Sequence, residues 1–266
     1  MNIDDLKVVI EGVNLSDAWA KAMITCYDKN GSILSPAVIR FPTTALGGIE
    51  TPEIRKIADN KLMVPGKTIP GQSSIETVAG TIFPQSIWRI SKGNRELFYK
   101  SYLNMFPGIK IHKLNKRGTY FQRMIGFENG KEPVNQLEHV ISTWHSGNHR
   151  HSALQAAIFD PRVDHSDSRR LGFPCLQQVA FHPQGANGKD GLSIVGFYAN
   201  QTLVEKAYGN YLGLYRLGLF MAGEMNLTLK EVVCVASVLK LNNTLNKKSC
   251  DAEIKAIKAV VNDGAE

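Results

Sequence analysis

The chain has 266 residues, 43% of them hydrophobic, which is enough for one sizeable core and predicts a single domain over 1–266 rather than a disordered or membrane-embedded chain. A formal net charge of +7 favours an anionic partner such as a nucleotide phosphate. The Lys and Arg residues are scattered, apart from KLNKR (113–117) and the pair Lys247–Lys248, so a nucleic-acid-binding stripe is the weaker reading. No run approaches the roughly 20 apolar residues of a membrane helix. The start, MNIDDLKVVIEG, carries two aspartates and does not read as a signal peptide, so a cytoplasmic protein is expected. Cys26, Cys175, Cys234 and Cys250 form no C-x-x-C pair, which reads as reduced thiols rather than a disulfide framework.

In chain order, NLSDAWAKAMITCYD (14–28) predicts a helix, with Asn14 or Ser16 as cap and Trp19, Met23 and Tyr27 at a spacing of four. Residues 29–72 are rich in Gly, Pro and Thr and predict a strand at AVIRF followed by long loops. Residues 84–105 mix Trp88, Ile90, Leu97, Phe98, Tyr102 and Met105 with charges, which predicts a helix. PVNQLEHVISTW (133–144) carries the helical stripe Val134, Leu137, Val140 and Ile141. SALQAAIF (152–159) reads as a strand. LQQVAF and GLSIVGFYA read as two strands around the turn HPQGANGKDG. A long apolar helix is expected over 203–225, a buried strand at EVVCVASVLKL (231–241), and a short amphipathic helix at DAEIKAIKAVV. This order predicts an α+β fold with one large mixed sheet and helices packed on it. The apolar runs in LSIVGFYA and EVVCVASVL predict that both faces of the sheet are covered.

Two cofactor fingerprints, G-x-G-x-x-G and G-x-x-x-x-G-K-[ST], are absent. HSGNHRH (145–151) groups His145, His149 and His151, but Gly147 and Asn148 disfavour the helix that would align the first two, and no matched Cys or acidic partner stands at ligand spacing. No metal site is expected.

Four pieces, in order, carry a resemblance: GTYFQRMIGF with VNQLEHVI, then FPCLQQVAF, then GLSIVGFYANQT, then VEKAYGNYLGLYRLGLFMAGEMNL. They resemble, respectively, the arginine segment and following helix, the Pro-Cys strand, the Leu-Ser strand and the asparagine helix of the thymidylate synthase superfamily. The resemblance is clearest over 118–241, and 29–117 is divergent. It implies a thymidylate-synthase-like large mixed sheet with helices on one face, packed sheet to sheet in a homodimer. It implies a transferase that moves a methyl or hydroxymethyl group to C5 of a pyrimidine nucleotide monophosphate. Its donor would be a reduced folate, methylenetetrahydrofolate.

On that resemblance Cys175 is the nucleophile that adds to C6 of the base, a task that needs a thiolate. Arg169 and Arg170 are close in sequence and would lower its pKa and hold the phosphate. Asn210 matches the asparagine that reads the pyrimidine; its amide can donate to O4 and accept from N3–H. Arg150 would reach the partner's phosphate site, and Glu76 would be the general base. Asn200 ends the triplet Tyr198-Ala199-Asn200, which replaces the family's Gln-Arg-Ser, and is placed at the substrate. The departures are specific: Leu176 replaces the histidine after the cysteine, Ala199 the phosphate-holding arginine and Thr202 an aspartate. SVLKLN replaces the Gly-Asp-x-His-x-Tyr motif, and the folate-closing tail has no counterpart after Asn242. They point to a second reading, a catalytically degenerate relative that binds nucleotides or serves assembly or regulation.

Overall fold

The computed structural model describes residues 8–44, 48–62, 73–128, 132–147, 150–167, 173–185, 188–244 and 246–263. Arg169, Arg170 and His149 lie outside the described residues. The strands are β1 (Val8–Glu11), β2 (Ile33–Leu34), β3 (Ala37–Pro42), β4 (Gln155–Ala157), β5 (Leu176–Gln184), β6 (Gly191–Tyr198), β7 (Gln201–Thr202), β8 (Leu229–Ala236) and β9 (Leu239–Lys240). The helices are α1 (Leu15–Asp28), α2 (Pro52–Leu62), α3 (Ile75–Ile82), α4 (Gln85–Ile90), α5 (Arg95–Ile111), α6 (Tyr120–Ile125), α7 (Gln136–His145), α8 (Pro161–Asp164), α9 (Tyr208–Glu224) and α10 (Asp251–Asp263). The class is mixed α+β, built on a six-stranded mixed sheet of order β1-β3-β8-β6-β5-β4 and a small sheet of order β2-β9-β7.

Registry across the large sheet separates its two faces. Ile10, Ile39, Cys234, Gly196, Val179 and Ala156 pair strand to strand along one row, and all are buried against α1, α7 and α9. The next row, Val9, Val38, Val235, Phe197, Gln178 and Ala157, points the other way, because side chains alternate along a strand. Val9 is 57% exposed and Phe197 38%. Both faces were expected to be covered; within one chain the second face is open.

The long apolar helix over 203–225 is a π-helical turn, Leu203–Ala207, running into α9. Trp19 of α1 donates its indole N–H to Leu203 O at 3.0 Å, and the Ser16 and Tyr208 hydroxyls bond at 2.7 Å, which fastens the start of this helix. α3 lies against α9 because two glycines leave room for it. A Cβ at Gly209 would stand 2.6 Å from Val78 Cβ, and one at Gly213 2.8 Å from Ile82 Cβ. Asn210 sits between these glycines, so the close approach holds it beside the start of α3.

Three sequence expectations change. The loops expected before residue 72 contain α2, because Ile54 and Ala58, four apart, give PEIRKIADNKL a buried edge. The helix expected over 84–105 is two, α4 and α5, parted where Lys92 (φ 49°) and Gly93 (φ 80°) turn left-handed. The strand run at 231–241 is β8 and β9, which belong to different sheets. The β5–β6 hairpin, α1 with its Asn14 cap, and α7 form as the pattern predicts.

Candidate active site

The chain leaves the large sheet at Tyr198 and enters the small one at Gln201. β8 makes the same step into β9 at Ser237 and Val238. The two crossings are laced together: Ser237 N–H donates to Tyr198 O at 2.9 Å and Gln201 N–H to Val238 O at 2.9 Å. Ala199 N–H donates to Cys175 O at 3.0 Å, which sets Cys175, just before β5, on the same seam. The seam opens into a cavity of about 720 Å³, walled by the start of α3, the 112–120 segment, Phe173 and the π-helical turn.

Cys175, Asn200 and Asn210 all line this cavity, so three of the sequence-selected residues, 35 positions apart at the extremes, come together. Asn210 is 4% exposed and its side chain has no hydrogen-bond partner among the described residues. Asn200 Oδ1 is buried without a donor. Two neighbouring hydroxyls on the wall are occupied. Ser74 Oγ accepts from Thr77 N–H at 3.1 Å, and the Thr119 hydroxyl bonds that of Tyr102 at 2.6 Å.

Electrostatics at the thiol differ from the sequence expectation. Burial pushes the Cys175 thiol above its ordinary pKa, and Lys206 pulls it part of the way back. Lys206 is the only lysine or arginine among the described residues lining the cavity. Burial lowers its own pKa, with Cys175 and Glu205 opposing. Burial also raises the Tyr120 hydroxyl, beside the thiol, against backbone hydrogen bonding from Leu176 and Cys175.

Glu76 and Arg150 do not join this group. Glu76, on α3, faces a neighbouring cleft of about 490 Å³, where Arg216 holds it at 2.7 Å and Arg55 at 3.1 Å. Hydrogen bonding to Arg216 lowers its pKa, which weakens it as a base. Arg150 is exposed before the turn His151–Ala153 and does not line the cavity of its own chain. Among the described residues no group of three or more His, Cys, Asp or Glu could hold a metal.

Two residues of the site escaped the sequence reading. Gln201 follows Asn200 in ANQT, and its amide pair was the available signal; Lys206 had none beyond being a lone cation in an apolar stretch. No family model and no curated protein matches the chain.

Proposed function

We propose that the chain is a thymidylate-synthase-like transferase that places a one-carbon group, methyl or hydroxymethyl, on C5 of a pyrimidine nucleotide through Cys175. The observation that carries this reading is the meeting of Cys175, Asn200 and Asn210 in one cavity. The Cys175 thiolate adds to C6; the C5–C6 π electrons move to C5 and on to O4, giving an enolate. Asn210 donates to O4 and accepts from N3–H, which stabilises that charge as it forms. C5 is then the carbon nucleophile, and loss of its proton followed by expulsion of the thiolate restores the ring. The raised pKa of Cys175 means that its proton must leave before or during addition, with Lys206 helping to hold the thiolate. Lys206 also offers charge to the phosphate, with Arg169, Arg170 and a second copy's Arg150 as its proposed partners.

Methylenetetrahydrofolate, when bound, would supply the one-carbon unit at the formaldehyde level; for a methyl product it would also supply the hydride and leave as dihydrofolate, and for a hydroxymethyl product water would supply the oxygen and tetrahydrofolate would leave. In the cleft across α3 the half-buried Ile87 would meet its ring and the exposed Arg89 its carboxylates, over a floor in which Phe83 and Tyr102 are buried. The open sheet face supports a homodimer. Its central positions, with Val38, Val195, Val233, Val235 and Phe197, are apolar, a surface that a second copy would cover. Light scattering should give a dimer at micromolar concentration, and Phe197→Glu should give a monomer.

The deciding experiment uses uridine and deoxyuridine monophosphates tritiated at C5. Addition and its reversal should release label to water from the wild type and not from Cys175→Ser. The raised thiol pKa favours a second reading, nucleotide binding without chemistry, which predicts binding but no release from either protein. Among the described residues no helix is long and apolar enough to cross a membrane.

A further inference from the structure

Gln201 is 2% exposed and lines the same cavity. Its two amide ends differ sharply. Oε1 accepts from the Tyr211 hydroxyl at 3.3 Å and from the Cys234 thiol at 3.7 Å. Tyr211 and Cys234 are fully buried, so both need this acceptor and together they fix which way the amide points. Nε2 is left buried without a partner. A buried amide N–H with nothing to bond costs the whole desolvation penalty of the group, and beside a cavity a ligand can complete it. A neutral amide locked as a donor asks for an acceptor. The neighbouring Asn200 Oδ1, also unpartnered, asks for a donor. A ligand that carries a carbonyl close to an N–H or amino group, such as a planar lactam heterocycle, answers both; a hydrocarbon or purely anionic ligand does not.

We infer that Gln201 is a specificity-determining residue that donates from Nε2 to a ring carbonyl oxygen of the ligand, O2 in a pyrimidine nucleotide whose O4 and N3–H face Asn210, while Asn200 Oδ1 takes a further N–H or amino group where the ring carries one. This rests on the cavity of the proposed function, though not on its cysteine chemistry. It adds a requirement that Cys175 and Asn210 do not impose, because the Asn210 amide has no partner among the described residues to fix its orientation.

The test is calorimetry on the full chain with a panel: uridine, deoxyuridine and cytidine monophosphates, hypoxanthine, and the carbonyl-free 2-aminopyrimidine and purine. Gln201→Met removes the donor at similar volume. Gln201→Glu keeps an acceptor for Tyr211 and Cys234, so it stays informative if the methionine variant does not fold. The expected result is binding of carbonyl-bearing compounds to the wild type, none of the carbonyl-free pair, and a loss of tenfold or more in both variants. If hypoxanthine binds in this Gln201-dependent way and the pyrimidine nucleotides do not, the inference holds and the pyrimidine reading falls. If a pyrimidine nucleotide binds wild type and variants alike, the inference is overturned and the pyrimidine reading stands. Failure of every carbonyl compound to bind the wild type overturns both.

Discussion

Two buried polar clusters meet at Phe173, and they use their polar atoms in opposite ways. On one side its ring lies 5.1 Å from the Arg123 guanidinium. Arg123 donates to Asp164 at 2.6 and 3.0 Å, to Ile158 O at 2.9 Å and to Arg117 O at 3.3 Å, and Asp164 also accepts from Asp160 N–H at 2.8 Å. That cluster is closed, with its charges neutralised and its donors spent on the fold. On the other side Phe173 stacks on Tyr120 at the edge of the Cys175 cavity, where Asn200, Gln201 and Asn210 keep donors and acceptors unspent. Satisfied polar burial holds the chain together; unsatisfied polar burial around a cavity sets up binding. Residue type alone does not tell the two apart, since both clusters are built from polar side chains.

The largest effect should come from the closed side. Arg123→Met strands Asp164, whose side chain is 1% exposed, and should cost about 3–5 kcal/mol in denaturant unfolding. A loss under about 1 kcal/mol would mean that the pair is not the keystone drawn here. On the open side Asn210→Ala should move the melting temperature little, because its side chain has no hydrogen bond to lose among the described residues, yet weaken nucleotide affinity about tenfold or more. A variant that unfolds while its residual folded fraction binds normally would reverse the assignment of that residue.

Alkylation sharpens the comparison at the thiols. Cys26, Cys234 and Cys250 are fully buried, and burial pushes Cys26 up to about 12. Native labelling should therefore fall on Cys175, with a rate that rises to a midpoint above that of an exposed thiol. Because the folded-state pKa is the higher one, the stability this thiol contributes is present at neutral pH and is lost as pH rises through that value. Lys206→Met should move the midpoint higher still. A midpoint at or below that of an exposed thiol would instead show a cysteine already activated in the free protein.

The smallest effect belongs to Glu76. Its carboxylate is 54% exposed, so Glu76→Gln should cost less than about 1 kcal/mol despite its two arginine partners. Its lowered pKa makes that contribution present at neutral pH and lost as pH falls through the folded value. Loss of tritium release without loss of stability would restore it as the general base.

Local pattern alone determined a good part of this protein. Two apolar runs around a Gly-rich turn gave the β5–β6 hairpin, and apolar spacing with an Asn cap gave α1 and α7. Motif order alone brought Cys175, Asn200 and Asn210 forward as site residues, and they share a cavity. Only the tertiary structure decided the rest. The open sheet face depends on registry across six strands, which no single strand's apolar count contains. Glu76 left the cavity because Arg216, 140 residues away in sequence, claims its carboxylate. Gln201 entered the site because Tyr211 and Cys234 converge on one end of its amide and leave the other unpaired. Secondary structure follows from neighbours in sequence. Whether a buried polar atom is spent or spare follows from partners that only folding brings within 3.5 Å, the reach of a hydrogen bond.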